Sequence, residues 1–277
     1  MSLFFFWCFR LLKDQYFIFT NKKIKNNFFT RFYYYFFKAF ILICSLFKIS
    51  YINYCIKKYG NFNVNHYSIN GRGYLNYSKF DISTKKEIYK SNISRLSNFV
   101  KSSNQIEYND KDSFFDVGCG KGENIKFLLE EYPNSKIFGV DISPDALDLI
   151  RLNNQTNKNL ILEKLNLLDK KSLNKIKDNS YDHIILSHVF SVIFKINKNF
   201  TNKLRIEIIN NLKRIASKSI IIIDHPLMFE TKEKFVIEQI NRGFYYENLF
   251  DYFLKDEQKN IYFQRKDYSG YLLYKKN

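Results

Sequence analysis

Acidic residues are almost missing from the first sixty positions, where Asp14 is the single carboxylate against eight lysines and two arginines. About half of the formal net charge of +17 therefore sits in the first fifth of the chain. Such an excess permits attraction to nucleic acid, anionic lipid or an acidic ligand, and it also keeps a chain soluble. Alanine occurs only at Ala39, Ala146 and Ala216, and there are three prolines and nine glycines in 277 residues. Phe, Tyr, Ile, Asn and Lys take their place, a bias that an AT-rich coding sequence produces without selection on function. The four cysteines, Cys8, Cys44, Cys55 and Cys119, form no CxxC pair and have no spacing with the four histidines that would hold zinc or an iron–sulfur cluster. A reduced, cytoplasmic protein without a metal centre is expected. The opening "MSLFFFWCFRLLKD" is apolar for too short a stretch, with no basic lead and no small-residue cleavage site, so no secretory signal is expected.

The aromatic residues are crowded where the acids are scarce: residues 1–60 hold 21 of the 51. Between Lys38 and Lys57 the chain is apolar on almost every helical face, and 39–56 is just long enough to span a bilayer. Lys48 would then lie near the middle, costing roughly 2.5–3.5 kcal/mol. A helix in the membrane interface, whose basic and amphipathic features it shares, a helix packed on the main domain and, less favoured, a span all stay open. From Gly60 the composition turns polar, and the segment carrying His66, Gly71, Arg72, Gly73 and Tyr74 reads as a loop or lid over a ligand. A basic, helical extension of residues 1–65 followed by one domain of residues 66–277 is expected.

Beyond residue 85 strand and helix signals alternate. Apolar runs at 113–118, 136–141, 160–166, 181–188 and 219–224 are spaced as parallel strands with crossovers would be. Between the first two, Ile125, Leu128, Leu129 and Tyr132 recur with helical spacing. Ser143 and Pro144 open another helix, with Ala146, Leu149 and Ile150 on one face. Leu204, Ile208, Leu212 and Ile215 mark a third. "NIYFQR" and "GYLLYKK" predict a closing antiparallel hairpin. The class is α/β, a doubly wound, mostly parallel seven-stranded sheet.

Scarce glycine makes "FFDVGCGKGEN" conspicuous, because Gly118, Gly120 and Gly122 stand at alternate positions directly after the first strand. In an open parallel sheet the ligand crevice lies there, at the carboxyl ends of the strands. A dinucleotide fingerprint needs GxGxxG, but the register here is GxGxG with Asp116 before it. Asp141 ends the second strand, Asn166 follows the third, and "YDHIILSHVFSVI" forms the fourth. Together these resemble the class I S-adenosylmethionine-dependent methyltransferases over about residues 113–225. The resemblance implies a Rossmann-like methyltransferase fold and S-adenosyl-L-methionine as cofactor. It implies cofactor contacts by Asp116, Gly118, Gly120, Gly122, Asp141, Ile142, Asn166 and Leu167, with Asp141 accepting from the ribose hydroxyls and Asn166, or alternatively Asp169, meeting the adenine amino group. Glycines there would give clearance for the cofactor.

The fourth-strand segment departs from the family by placing Ser191 and Val192 where Glu-His is usual, so no catalytic role carries over from that pair. Methyl transfer to oxygen needs a base, and His188 and His225, ending the fourth and fifth strands, are the candidates. His183, inside a strand, reads as a satisfied core residue, and Cys119 as a small residue tolerated by the turn. After the fourth strand there is no [DN]PP[YF] motif of the kind that resembles amino-methylating nucleic-acid enzymes, and no Pro-Cys dipeptide for cytosine C5 chemistry. The expected acceptor is a small molecule, lipid or glycan, with an anionic membrane surface as a further partner through residues 1–60. RNA or protein methylation is the alternative, and a membrane-associated cofactor-binding protein without turnover is a third.

Overall fold

The computed structural model describes residue 53 and residues 95–103, 105–225, 245–266 and 269–276. All of these but residue 53 belong to one unit, Cys55–Asn277. Apart from residue 53, the extension of residues 1–65, its boundary with the domain, the apolar stretch 39–56 and the loop from His66 to Tyr74 lie outside the described residues. Among the described residues no helix is long and apolar enough to cross a membrane.

The apolar runs form five parallel strands: β1 (Ser113–Val117), β2 (Lys136–Asp141), β3 (Leu160–Lys164), β4 (Tyr181–Ser187) and β5 (Ala216–Asp224). The C-terminal hairpin of β6 (Ile261–Lys266) and β7 (Ser269–Lys275) adds two antiparallel strands. The order is β3-β2-β1-β4-β5-β7-β6, the expected doubly wound, seven-stranded sheet.

Continuous apolar strands persist because both faces are covered. Alternation sends Phe114 to one face, with Leu96 and Phe99 of α1 (Arg95–Ser102), Ile125 and Leu128 of α2 (Glu123–Glu131), and Leu147 and Ile150 of α3 (Pro144–Asn153). It sends Phe115 and Val117 to the other, with Leu173 of α4 (Lys170–Asn174) and Leu204, Ile208, Leu212 and Ile215 of α5 (Lys198–Ile215). Each such side chain contributes about 1.5–3 kcal/mol when buried. The third helix starts as its sequence predicts, with Ser143 Oγ accepting from the Ala146 N–H at 3.4 Å and Pro144 in the first turn. In α2 the buried face is Ile125, Phe127 and Leu128, while Tyr132 ends the helix instead of extending it.

One end of the sheet is closed by polar ties. Asp182 Oδ2 accepts from the backbone N–H and the hydroxyl of Ser113, each at 2.9 Å, and Oδ1 accepts from Ser217 Oγ at 2.9 Å, so one carboxylate binds β1, β4 and β5. His183 lies beside it, 2.8 Å from Ser219 Oγ and 2.9 Å from Asp112 Oδ2, and Asp112 also pairs with Lys218. It is the satisfied core histidine its strand position predicts. The opposite, carboxyl end of the strands is left for the ligand.

Candidate active site

The order reverses between β1 and β4, whose carboxyl ends therefore border the crevice of an open α/β sheet. The glycine loop fills the first of these edges. Its chain turns back at once: the Gly118 and Cys119 N–H groups both donate to the Val140 carbonyl, at 2.7 and 3.0 Å. All three glycines adopt positive φ, +74° at Gly118, +53° at Gly120 and +83° at Gly122, where other residues pay a steric penalty. Their surroundings differ. A Cβ on Gly118 would lie 2.5 Å from Val189 Cγ2, and one on Gly122 would lie 2.9 Å from Ile150 Cγ1. At Gly120 a Cβ would have no neighbour within 4 Å among the described residues. Packing accounts for the outer two glycines, and only the middle one borders open space.

Two carboxylates flank this loop. Asp116 is fully buried; Asn124 Nδ2 donates to its Oδ1 at 3.3 Å, and Oδ2 has no hydrogen-bond partner among the described residues. Burial, with the charges of Asp141 and Glu123 adding to it, pushes this carboxyl up to about 7. Asp141, at the end of β2, takes the Gly120 N–H on Oδ2 and the Ser143 N–H on Oδ1, each at 2.9 Å. Burial raises its pKa, and these bonds with that of Ile142 oppose the rise. Ile142 and Leu167 are half-buried beside the strand ends. Asn166 Oδ1 accepts from the Leu168 N–H at 2.9 Å, which leaves one lone pair. Asp169 caps α4, accepting from the Lys171 N–H and the Ser172 hydroxyl at 3.1 and 3.2 Å. Cys119 is buried, and desolvation, reinforced by Asp116 and Asp141, holds its thiol protonated.

The second edge is formed by the ends of β4 and β5. His188 continues the ladder through its N–H to the Ile223 carbonyl at 2.7 Å and has φ +56°, uncommon for a non-glycine residue. Its Nδ1 is 3.8 Å from Asp224 Oδ1, and Nε2 is buried with no partner among the described residues. Burial first, then Arg95 and His225, push the imidazole down to about 3, so the ring is neutral at pH 7. His225 follows on β5, its ring 5.4 Å from that of Tyr246, and burial lowers its pKa while Asp224 opposes. Both candidate bases thus sit at adjacent strand ends.

Sequence reasoning passed over Asp224 and Arg205. Asp224 is fully buried, with Oδ1 accepting from the His225 N–H at 2.8 Å and Oδ2 from the Ser191 N–H at 3.1 Å. An acid ending the run "SIIIID" beside a crevice was the available signal. Arg205, fully buried in α5, donates to the Ile193 and Tyr245 carbonyls at 2.9 and 2.7 Å and to Tyr252 Oη at 3.1 Å. It joins the loop after β4 to the segment before β6, and no local motif marks it.

This sheet order, a GxGxG loop after β1 and an acid ending β2 define a class of cofactor-dependent enzymes, the class I S-adenosylmethionine-dependent methyltransferases. Residues 115–215 match the family described as a methyltransferase domain, and the chain carries a domain of this class. A segment of 61 residues is 36% identical to a tRNA N(3)-methylcytidine methyltransferase of Schizosaccharomyces pombe, over 22% of this chain and 25% of that protein. The match thus spans about a quarter of the curated relative's length. Among solved structures, a SAM-dependent methyltransferase from Aquifex aeolicus aligns at 16% identity and TM-score 0.43, over 73% of this chain and 97% of that one. Another, from Anabaena variabilis, aligns at 16% identity and TM-score 0.45, over 68% and 87%. S-adenosylmethionine is the cofactor of this class.

Proposed function

We propose that this protein transfers the methyl group of S-adenosylmethionine to a small-molecule, lipid or glycan-type acceptor by direct in-line displacement. The observation that carries the reading is the convergence of the glycine loop, Asp116, Asp141 and Asn166 at the ends of β1 to β3 with two histidines at the neighbouring ends of β4 and β5.

The residues fit the cofactor. Among the described residues, Gly120 has open space where other residues carry a Cβ and Asp116 presents a buried oxygen without a partner, suited to a cationic group. The Asp141 carboxylate, with three backbone N–H groups on about four lone-pair sites, keeps acceptor capacity for a ribose hydroxyl, and the remaining lone pair of Asn166 suits an amino group. Gly118, Gly122, Ile142 and Leu167 complete the walls. When bound, S-adenosylmethionine supplies an electrophilic methyl group on a sulfonium. The chain aligns the acceptor with that methyl and excludes water, and such positioning is the main source of rate. Where the acceptor is a hydroxyl, the neutral imidazole of His188, or of His225, receives its proton. This reading places the protein in the cytoplasm, with residues 1–60 drawn to an anionic membrane surface.

A second reading, RNA as acceptor, is favoured by the segment shared with the tRNA methyltransferase and by the net charge of +17. Both are tested by incubating the full chain and methyl-labelled S-adenosylmethionine with small-molecule, lipid, glycan and tRNA fractions. Label in one of the first three supports the primary reading. Label confined to tRNA overturns it in favour of the second, and no label with retained cofactor binding supports the non-catalytic reading.

A further inference from the structure

The loop after β4 is held by a carboxylate that lies beside both candidate bases. Asp224 Oδ1 takes the His225 N–H and lies 3.8 Å from His188 Nδ1, while Oδ2 takes the Ser191 N–H. We propose that Asp224 is a positioning residue for His188, orienting the imidazole with Nδ1–H toward the carboxylate and leaving Nε2 as the nitrogen that accepts a proton. This rests on the methyl-transfer reading above.

Three features support the assignment. The His188 main chain is fixed beside Asp224, since its N–H bonds the carbonyl of Ile223, the residue before Asp224, at 2.7 Å. A left-handed φ of +56° is retained there, a strain that surrounding contacts must hold. And Nε2 is buried without a partner among the described residues, which is costly for a polar atom unless a ligand meets it. The ring nitrogen that carries the proton is set by the bond the other one makes. A neutral imidazole in water prefers Nε2–H, and an acceptor on the Nδ1 side, here the Asp224 carboxylate, reverses that preference. Closing the 3.8 Å gap to a hydrogen bond needs a movement of about 1 Å at the ring.

The chemical consequence balances simply. As a hydroxyl acceptor loses its proton to Nε2, its oxygen forms the bond to the methyl carbon, the methyl–sulfur bond breaks, and that electron pair stays on sulfur as the sulfonium becomes a thioether. Burial raises the Asp224 pKa, the N–H groups of His225 and Ser191 and the charge of Arg205 oppose the rise, and in its ionised form the carboxylate stabilises the transient imidazolium until the proton leaves Nε2 for solvent.

The tautomer itself is the test, and it needs no identified acceptor. The full chain labelled with ¹⁵N-histidine is examined by NMR at neutral pH, where His188 is neutral, with His188→Gln used to assign its resonances. The expected spectrum shows Nδ1 in the protonated range and Nε2 in the unprotonated range, and Asp224→Asn should move His188 toward the Nε2–H form. An Nε2–H tautomer in the parent protein overturns the proposal without recourse to any variant. So does an Nδ1–H tautomer that persists in a folded Asp224→Asn protein. Calorimetry with S-adenosylhomocysteine reads the underlying cofactor assignment separately: absence of binding removes the methyl-transfer reading, and the proposal with it, whatever the tautomer.

Discussion

The backbone N–H of Gly120 donates a 2.9 Å hydrogen bond to Asp141 Oδ2, joining the middle of the glycine loop to the end of the neighbouring strand. One carboxylate thus shapes the loop and faces the crevice. Asp141→Ala is expected to weaken S-adenosylhomocysteine binding by about 1.5–3 kcal/mol, the scale of hydrogen bonds to a charged group. Calorimetry on the folded variant checks this, and unchanged affinity would take ribose recognition away from Asp141.

The glycines should separate by experiment. Gly118→Ala meets Val189 at 2.5 Å in addition to its unfavourable φ, whereas Gly120→Ala meets only the φ penalty. The first should lose about 2–5 kcal/mol of stability, overpacking and strain together, and the second about 1–2 kcal/mol. Gly120→Ala should show the larger loss of cofactor affinity relative to its loss of stability. Thermal unfolding alongside calorimetry tests the ranking, and equal stability losses would contradict it.

Asp116 predicts an unusual pH dependence. Its pKa is raised to about 7 by burial, so the folded state holds a proton that the unfolded chain releases near pH 4. Its contribution to stability therefore falls as pH rises from about 4 to 7, by about 4 kcal/mol, and is level above that. Asp116→Asn removes the ionisation. Urea unfolding at pH 5 and pH 8 should show the variant gaining on the parent at the higher pH, and a constant difference would disprove a buried neutral carboxyl.

Asp112 should behave in the opposite sense, because its bonds with Lys218, the Asn109 N–H and His183 outweigh burial and lower its pKa. The stability it contributes is present above the unfolded value near 4 and is lost as pH falls through the lowered folded value. Asp112→Asn is expected to cost about 1–3 kcal/mol at pH 7 with no change in cofactor affinity. The deficit should shrink in acid as the parent carboxylate protonates. Weakened cofactor binding would show that the two ends of the sheet are coupled.

Residues 1–60 are proposed to carry the protein to an anionic surface, each basic residue near it contributing roughly 1 kcal/mol. In flotation at low salt the full chain should rise with anionic vesicles and less so with neutral ones, and added salt should weaken the association. Equal recovery with both kinds of vesicle would refute electrostatic attachment.

Much of the fold was legible because its signals are local. Residues 136–141 form the strand that their apolar run between turns predicts, and Ser143 with Pro144 starts α3 as the cap and ring demand. The run assigned to 219–224 extends back to Ala216, where pairing with Tyr181 of β4 recruits residues too polar to read as strand alone. Asp169, a plausible cofactor contact by spacing, caps α4 because the chain turns into a helix immediately after it.

The sequence by itself determined the sheet's class, the place of the crevice and the positions of the glycine loop, Asp141 and the two terminal histidines, since strand period, glycine spacing and an acid at a strand end are properties of neighbours along the chain. Tertiary structure alone decided that Val189 and Ile150 demand two of the glycines, that Asp116 is desolvated enough to hold its proton near neutrality, and that Asp224 lies beside His188 while Arg205 braces the loop between. Those outcomes depend on burial and on contacts between residues far apart in the chain, and no spacing rule encodes them.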